Sequence, residues 1–345
     1  MGDFIVRFCI KKFVPALAIA GMLAFQPVNA AVVQDAARTA NAAVVQEDDH
    51  AAYRGYVWRL DEADKDGLPR NFRTTNSAFG KADAKFSLDE NYVPSRKGLE
   101  QLKASGSAEF SEKEFATVMK ELKKQTSGPI YILDLRQESH GFFNGDAVSW
   151  YGKRNWGNVG RSQEEALQDE KHRLKMAQGK NIETARLNKQ KEESDIKKEL
   201  AVKTMSEEEL VSAAGVHYVR IASTDHVWPD ADAIDTFITF YKQLPEDAWL
   251  HFHCAAGSGR TTTYMAIYDM MRNPDGSLKD ILYRQYLLGG TYIAYMPKDD
   301  QSWRTQYYDE KAVQIKRFYD YVQANHANGF QTSWSAWLAQ VNEAK

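Results

Sequence analysis

The sequence predicts an α/β domain built on a largely parallel central sheet flanked by helices. Short apolar runs alternate with stretches of helical period, and two serine–glutamate capping boxes open helices. One apolar run, Trp249 to His253, leads directly into a glycine-containing loop and a further helix. In order, Ser111 and Glu114 form the first box, with Phe115, Val118, Met119 and Leu122 following on one helical face. Ile130 to Leu133 reads as a buried strand. The second box, Ser206 to Glu209, opens a short helix closed by Gly215, and His217 to Ala222 reads as the next strand. Ile234, Phe237, Ile238 and Tyr241 mark another helix, and Trp249 to His253 is a third strand. Beyond Cys254, helices are expected over 260–272, 309–327 and 333–344. Their inward stripes are Ala312, Ile315, Tyr319 and Val322, then Trp334, Trp337, Leu338 and Val341, which read as core.

The 345 residues are 43% hydrophobic and 26% charged, with a net charge of −3, so no nucleic-acid partner is expected and any anion site must be local. Arg7, Lys11 and Lys12 precede an apolar stretch from Phe13 to Phe25, and Val28-Asn29-Ala30 offers small residues for cleavage. Residues 1–30 therefore read as a signal peptide, cleaved near Ala30, that sends the protein to a periplasm or out of the cell. The stretch is shorter than the ~20 residues of a spanning helix, so no stable membrane association is expected after cleavage. Of two cysteines, Cys9 lies in that segment and Cys254 is left alone. Residues 31–52 read as a flexible lead-in, 53–138 and 206–345 as the main domain, and 139–205 as an inserted charged subdomain. Dense mixed charge makes 161–205 read as solvated.

The chemistry concentrates in His253-Cys254-Ala255-Ala256-Gly257-Ser258-Gly259-Arg260-Thr261. A strand, a glycine-containing loop and a helix start bind phosphate through backbone N–H groups and the positive end of the helix. Gly257 and Gly259 are expected to permit the backbone angles this needs. Arg260 can grip phosphate oxygens, and Thr261 can donate to the cysteine sulfur. Such surroundings favour a thiolate, a nucleophile toward phosphorus, so the expected reaction passes through a cysteinyl-phosphate. Loop amides and Arg260 supply the charge stabilisation, so neither a metal nor another cofactor is expected. The leaving oxygen needs an acid, and Thr224 to Asp230 offers two, Asp225 and Asp230. The second also stands where a helix N-cap belongs.

The segment His253 to Thr263, with Asp134 to Gly141 and Thr224 to Pro229, resembles the protein-tyrosine-phosphatase-like cysteine phytases. These are secreted bacterial enzymes that remove phosphate from myo-inositol hexakisphosphate. The likeness extends over Val148 to Gly152 and Tyr307 to Gln323. It implies a tyrosine-phosphatase-like fold with a small β-rich subdomain, and it puts the acid on Asp225. Trp228-Pro229-Asp230, which spells the tripeptide of tyrosine phosphatases, is then a structural use. The resemblance further implies that Ala255 to Gly259 cradle phosphate and that Arg73, Glu138, Lys191, His226, Lys298 and Arg304 grip the substrate. That substrate would be a small polyanion, inositol hexakisphosphate or a lower inositol phosphate. Competing readings are a phosphotyrosine phosphatase, an inositol-phosphate-binding module without turnover, and a sulfurtransferase. Ala255, Ser258 and Asn155 depart from the pattern, the last where an aspartate is expected, and all three read as lying outside the reacting set.

Overall fold

A computed structural model describes residues 50–297 and 302–343. The expected signal peptide, most of the lead-in and Lys298 lie outside the described residues. The strands are β1 (Val57–Glu62), β2 (Arg73–Thr74), β3 (Ala104–Ala108), β4 (Ile130–Arg136), β5 (His140–Phe143), β6 (Asp146–Tyr151), β7 (Asn181–Leu187), β8 (Glu193–Leu200), β9 (Thr204–Met205), β10 (His217–Ser223) and β11 (Trp249–Cys254). The helices are α1 (Glu112–Gln125), α2 (Gln163–Ala177), α3 (Glu207–Ala213), α4 (Ala231–Lys242), α5 (Gly259–Arg272), α6 (Leu278–Leu287), α7 (Thr305–Asn325) and α8 (Trp334–Glu343).

The central sheet has the order β10-β4-β11-β3-β2 and is parallel except for the antiparallel edge strand β2. Alternation along β4 divides the core, as a period of two requires. Ile130 and Ile132 join Phe115, Val118 and Leu122 of α1, whereas Leu133 and Leu135 join Phe237 of α4 with Tyr264 and Met265 of α5. Both expected capping boxes are closed, at Ser111–Glu114 and Ser206–Glu209. The helix expected to begin at 309 starts one turn earlier, at Thr305.

A second sheet, β8-β7-β1-β6-β5-β9, accounts for most of the insertion. It takes β1 from residues assigned by sequence to the main domain, pairing it antiparallel with β6 and parallel with β7. The stretch 161–205, read as solvated, folds into α2 and the β7–β8 hairpin. A third capping box, Ser162–Glu165, opens α2, and its buried face is only Ala166, Glu170, Leu174 and Ala177. Leu174, Ala177 and Ile182 pack with Leu60, Phe143, Val148 and Ala201. Small residues and a glutamate give a weak periodic signal, so the pattern hid the helix.

Candidate active site

The parallel strands deliver their C-terminal ends to one edge, where β11 ends at Cys254 and α5 begins at Gly259. The loop between them is held from behind. Asn71 Nδ2 donates to Ala256 O at 2.8 Å, and Arg73 donates to Gly257 O at 2.8 Å. A carbonyl drawn outward turns the N–H of its own peptide unit the other way, so the Arg73 bond aims the N–H of Ser258 toward the cup. The Gly257 N–H bonds the Cys254 carbonyl at 3.3 Å. Gly257 has φ +66°, and a Cβ there would lie 2.3 Å from Ala108 N. Gly259 differs from expectation. It opens the helix, and a Cβ would meet nothing within 4 Å.

Cys254 is buried, and the Thr261 hydroxyl donates to its Sγ at 3.2 Å. Arg260 is buried against Glu138, its two terminal nitrogens donating to the carboxylate at 2.7 and 2.9 Å, and it also donates to Ser223 O at 3.0 Å. Its Nε lies 3.5 Å from Asp225 Oδ1. Burial works against the Arg260 charge, but Asp225 and Glu138 hold its pKa above the ordinary value.

The two candidate acids part company. Asp230 Oδ1 accepts from the Ala233 N–H at 2.7 Å and caps α4. Asp225 faces the cleft beside Arg260. Burial alone would push its carboxyl up, but Arg260 and His226 hold it below the usual value, and Asn155 adds a hydrogen bond at 3.1 Å. Asn155 is therefore not remote from the reacting groups, as its sequence position suggested. The neighbouring Trp156 Nε1 donates to Asp225 O at 2.8 Å.

In front of the loop lies a cleft of about 1050 Å³, at the upper end of small-ligand sites. Ala255 and Ala256 line it with Asp225, His226, Lys191 and Arg304. Arg59, Arg70, Lys153, Arg154 and Arg186 add cations that sequence reasoning missed. They come from β1, the 63–72 loop, the turn after β6 and the β7–β8 hairpin, and no local pattern joins them. Lys311 of α7 is near enough to feel Asp225, and burial pulls its pKa down to about 8 against that attraction.

Arg73 and Glu138, both expected to grip substrate, are placed elsewhere. Arg73 is only 2% exposed beneath the loop, bonded to Asn71 O, Gly257 O and Thr262 Oγ1. Glu138 is 1% exposed, bridging Arg260, Arg136 and Asn155. Behind them, Glu109–Glu207–His253 and Asp134–His140–Glu207 bring possible metal ligands within 4.8 Å. Arg136 and Arg220 already pair with Glu109 and Asp134 at 2.6 Å, and carboxylates raise both imidazole pKa values despite burial. Protonated imidazoles do not ligate, so these groups fit an ion-pair network.

A family model for protein-tyrosine-phosphatase-like phytases, described by the words inositol hexakisphosphate, matches residues 133–272. A tandemly repeated phytase of this kind from Mitsuokella multacida superposes with a TM-score of 0.80 at 54% identity, over 88% of this chain and 51% of that one. A Mitsuokella multacida myo-inositol phosphatase is known in complex with myo-inositol-(1,3,4,5)-tetrakisphosphate, again with a TM-score of 0.80, at 53% identity over 88% of this chain and 52% of that one. A phytase from Bdellovibrio bacteriovorus matches over 84% of this chain and 96% of its own, at 33% identity and a TM-score of 0.65. The effector protein hopD2 of Pseudomonas syringae pv. tomato is 30% identical over 71% of this chain and 53% of its own length. The chain thus spans about half the length of that relative and of the Mitsuokella proteins.

Proposed function

Given that the chain belongs to the protein-tyrosine-phosphatase-like phytases, we propose that it removes phosphate from myo-inositol hexakisphosphate and lower inositol phosphates. The observation that carries the substrate class is the cleft itself: Arg59, Arg70, Lys153, Arg154, Arg186, Lys191 and Arg304 line a wide opening together with Ala255 and Ala256, the two residues that follow Cys254. A densely phosphorylated ring needs cations at several distances from the reacting phosphate, whereas a phosphotyrosyl side chain needs one narrow slot.

Cys254 Sγ attacks phosphorus in line with the ester oxygen. The P–O bond breaks, Asp225 gives its proton to the leaving inositol oxygen, and the phosphoryl group remains on sulfur. Water then attacks phosphorus and passes a proton to Asp225, inorganic phosphate departs, and the sulfur regains its electron pair. Arg260 and the loop N–H groups face the charge on the transferring oxygens, so this chemistry calls for no metal. The substrate carries negative charge toward Arg260 and Asp225, which favours the protonated carboxyl that the acid role requires. The leader-like composition of segment 1–30 supports a place outside the cytoplasm.

The test is phosphate release by the purified protein from inositol hexakisphosphate and, separately, from a phosphotyrosyl peptide. Faster turnover of the inositol phosphate, unaffected by excess EDTA and abolished in Cys254→Ser, is expected. A preference for the peptide would overturn the substrate class, and a Cys254→Ser variant within tenfold of wild type would overturn the covalent route.

A further inference from the structure

We propose that Asn155 is a positioning residue: its side-chain amide holds the Asp225 carboxylate in register with the Arg260–Glu138 pair and so sets the pH range over which Asp225 can surrender its proton. The inference rests on the phosphatase reading of the same site.

Asn155 sits in the turn after β6, where Arg154 and Asn155 have φ +62° and +65°. Two successive left-handed residues without glycine are conformationally costly and persist only where the surroundings fix them. The surroundings here are specific. The Arg154 guanidinium lies over the rings of Trp303, Trp156 and Tyr53 at 4.1, 5.1 and 5.4 Å, and the Asn155 N–H bonds Gly152 O at 2.8 Å. The turn thereby drives a buried amide between two carboxylates, with Nδ2 2.7 Å from Glu138 Oε1 and 3.1 Å from Asp225 Oδ2.

Its orientation is dictated by charge. Two carboxylate oxygens accept on one side, so the NH2 group must face them, and buried Oδ1 has no hydrogen-bond partner among the described residues. Glu138 is already fixed by Arg260 and Arg136, which makes it an anchor. Asn155 carries that fixed position across to Asp225, and Trp156 does the same for the Asp225 backbone. A neutral donor stabilises the ionised carboxylate, whereas an aspartate at 155 would put a third carboxyl into this space and force a proton to be shared. The other groups facing Asp225 are Arg260 of α5, His226 of its own loop, Glu138 after β4, Tyr151 of β6, Lys191 of the hairpin and Lys311 of α7. Asn155 is uncharged and donates directly to the Asp225 carboxylate, so its removal leaves every formal charge at the site unchanged.

The experiment compares wild type, Asn155→Ala and Asn155→Asp on inositol hexakisphosphate and on 2,4-dinitrophenyl phosphate, whose leaving group needs little protonation. For Asn155→Ala the kcat loss on the inositol ester should be roughly 10- to 100-fold and exceed that on the aryl ester by about tenfold. Loss of a donor to the charged form raises the acid's pKa, so the basic limb of kcat/KM should move up by about half a pH unit in Asn155→Ala and by about one unit in Asn155→Asp. A carbon-13 titration of the Asp225 carboxyl in a Cys254→Ser background should show the same order without any turnover. Equal losses on both esters with an unmoved limb and an unmoved carboxyl titration would mean that Asn155 serves the fold alone, and would overturn the proposal. A wild type inactive on both esters would remove the phosphatase reading, while the titration would still decide whether Asn155 sets Asp225.

Discussion

Asp225 and Asp230 are chemically alike and a few residues apart, and the structure gives them different neighbours. Asp230 is spent on the Ala233 N–H at the start of α4, while Asp225 stands beside Arg260 at the cleft. Asp225→Asn should therefore lower kcat on inositol hexakisphosphate by roughly 10² to 10⁴, the usual worth of general acid catalysis. Asp230→Ala should instead cost about 1 kcal/mol of stability through the lost cap, with a far smaller change in kcat. Steady-state kinetics beside urea unfolding separates the two, and the reverse ranking in kcat would move the acid to Asp230. Lys191 and Arg73 make a second contrast. Lys191 lines the cleft, where burial and the nearby Arg59 and Arg304 lower its pKa. Lys191→Ala should raise KM for inositol hexakisphosphate more than it lowers kcat, more so at low salt, and leave p-nitrophenyl phosphate nearly unaffected. Arg73 touches the loop backbone, so Arg73→Met should impair both substrates alike. Kinetics of both variants on both substrates at two ionic strengths checks the pair, and a Lys191→Ala loss shared equally by both would place Lys191 in support of the loop.

Between elements, the decisive joints are ionic. Arg136 at the end of β4 is wholly buried and reaches Asp61 of β1 at 2.8 Å, Glu109 beyond β3 at 2.6 Å and Glu138 at 3.0 Å. One guanidinium thus ties the central sheet to the second sheet and steadies the carboxylate that grips Arg260. Removing one partner of a buried ionic cluster leaves the others uncompensated, at a cost of about 3 to 5 kcal/mol. Arg136→Leu should lose that much in a urea unfolding curve. A loss below about 1 kcal/mol would show that water or a rearranged partner takes over the three carboxylates.

Across the whole molecule the same logic makes stability depend on pH. His140 of β5 meets Asp134 of β4 at 3.0 Å, Glu207 of α3 at 3.3 Å and Glu170 of α2 at 3.4 Å, so its imidazole joins both sheets and two helices. Burial opposes its charge, but Asp134 and Glu170 raise its pKa from 6.5 to about 10. Because the folded value lies above the unfolded one, this contribution is complete below about pH 6.5 and is lost as pH climbs toward 10. Asp134 and Glu138 are shifted the other way, by Arg220 and Arg260 against burial, so their contributions hold above the ordinary 3.8 and 4.5 and fade as pH falls through the lower folded values. Tm should therefore peak in mildly acidic solution and fall between pH 7 and 9. His140→Gln should lower Tm at pH 6 and flatten that alkaline fall. Thermal melts across pH test it, and an unchanged slope in the variant would show that His140 is not the titrating group.

Residue spacing alone was enough for the parts whose physics is local. Capping boxes closed where Ser111 and Ser206 announced them, β11 ran into the loop at Cys254, and Thr261 followed at the offset that brings its hydroxyl to the sulfur. Those features need only neighbours within a few residues, so spacing carries them. Tertiary structure decided the rest. Strand β1 crossed into the second sheet, α2 hid behind alanines, and Arg73 and Glu138 turned inward, one onto the loop backbone and the other onto Arg260. The cations of the cleft come from segments far apart in sequence, and Asn155 reaches Asp225 across 70 residues. An isolated arginine or asparagine carries no periodic or spacing signal. Whether it faces water, a carboxylate or a ligand depends on which distant backbone the fold brings beside it, because electrostatic and hydrogen-bond energies depend on distance in space and not along the chain.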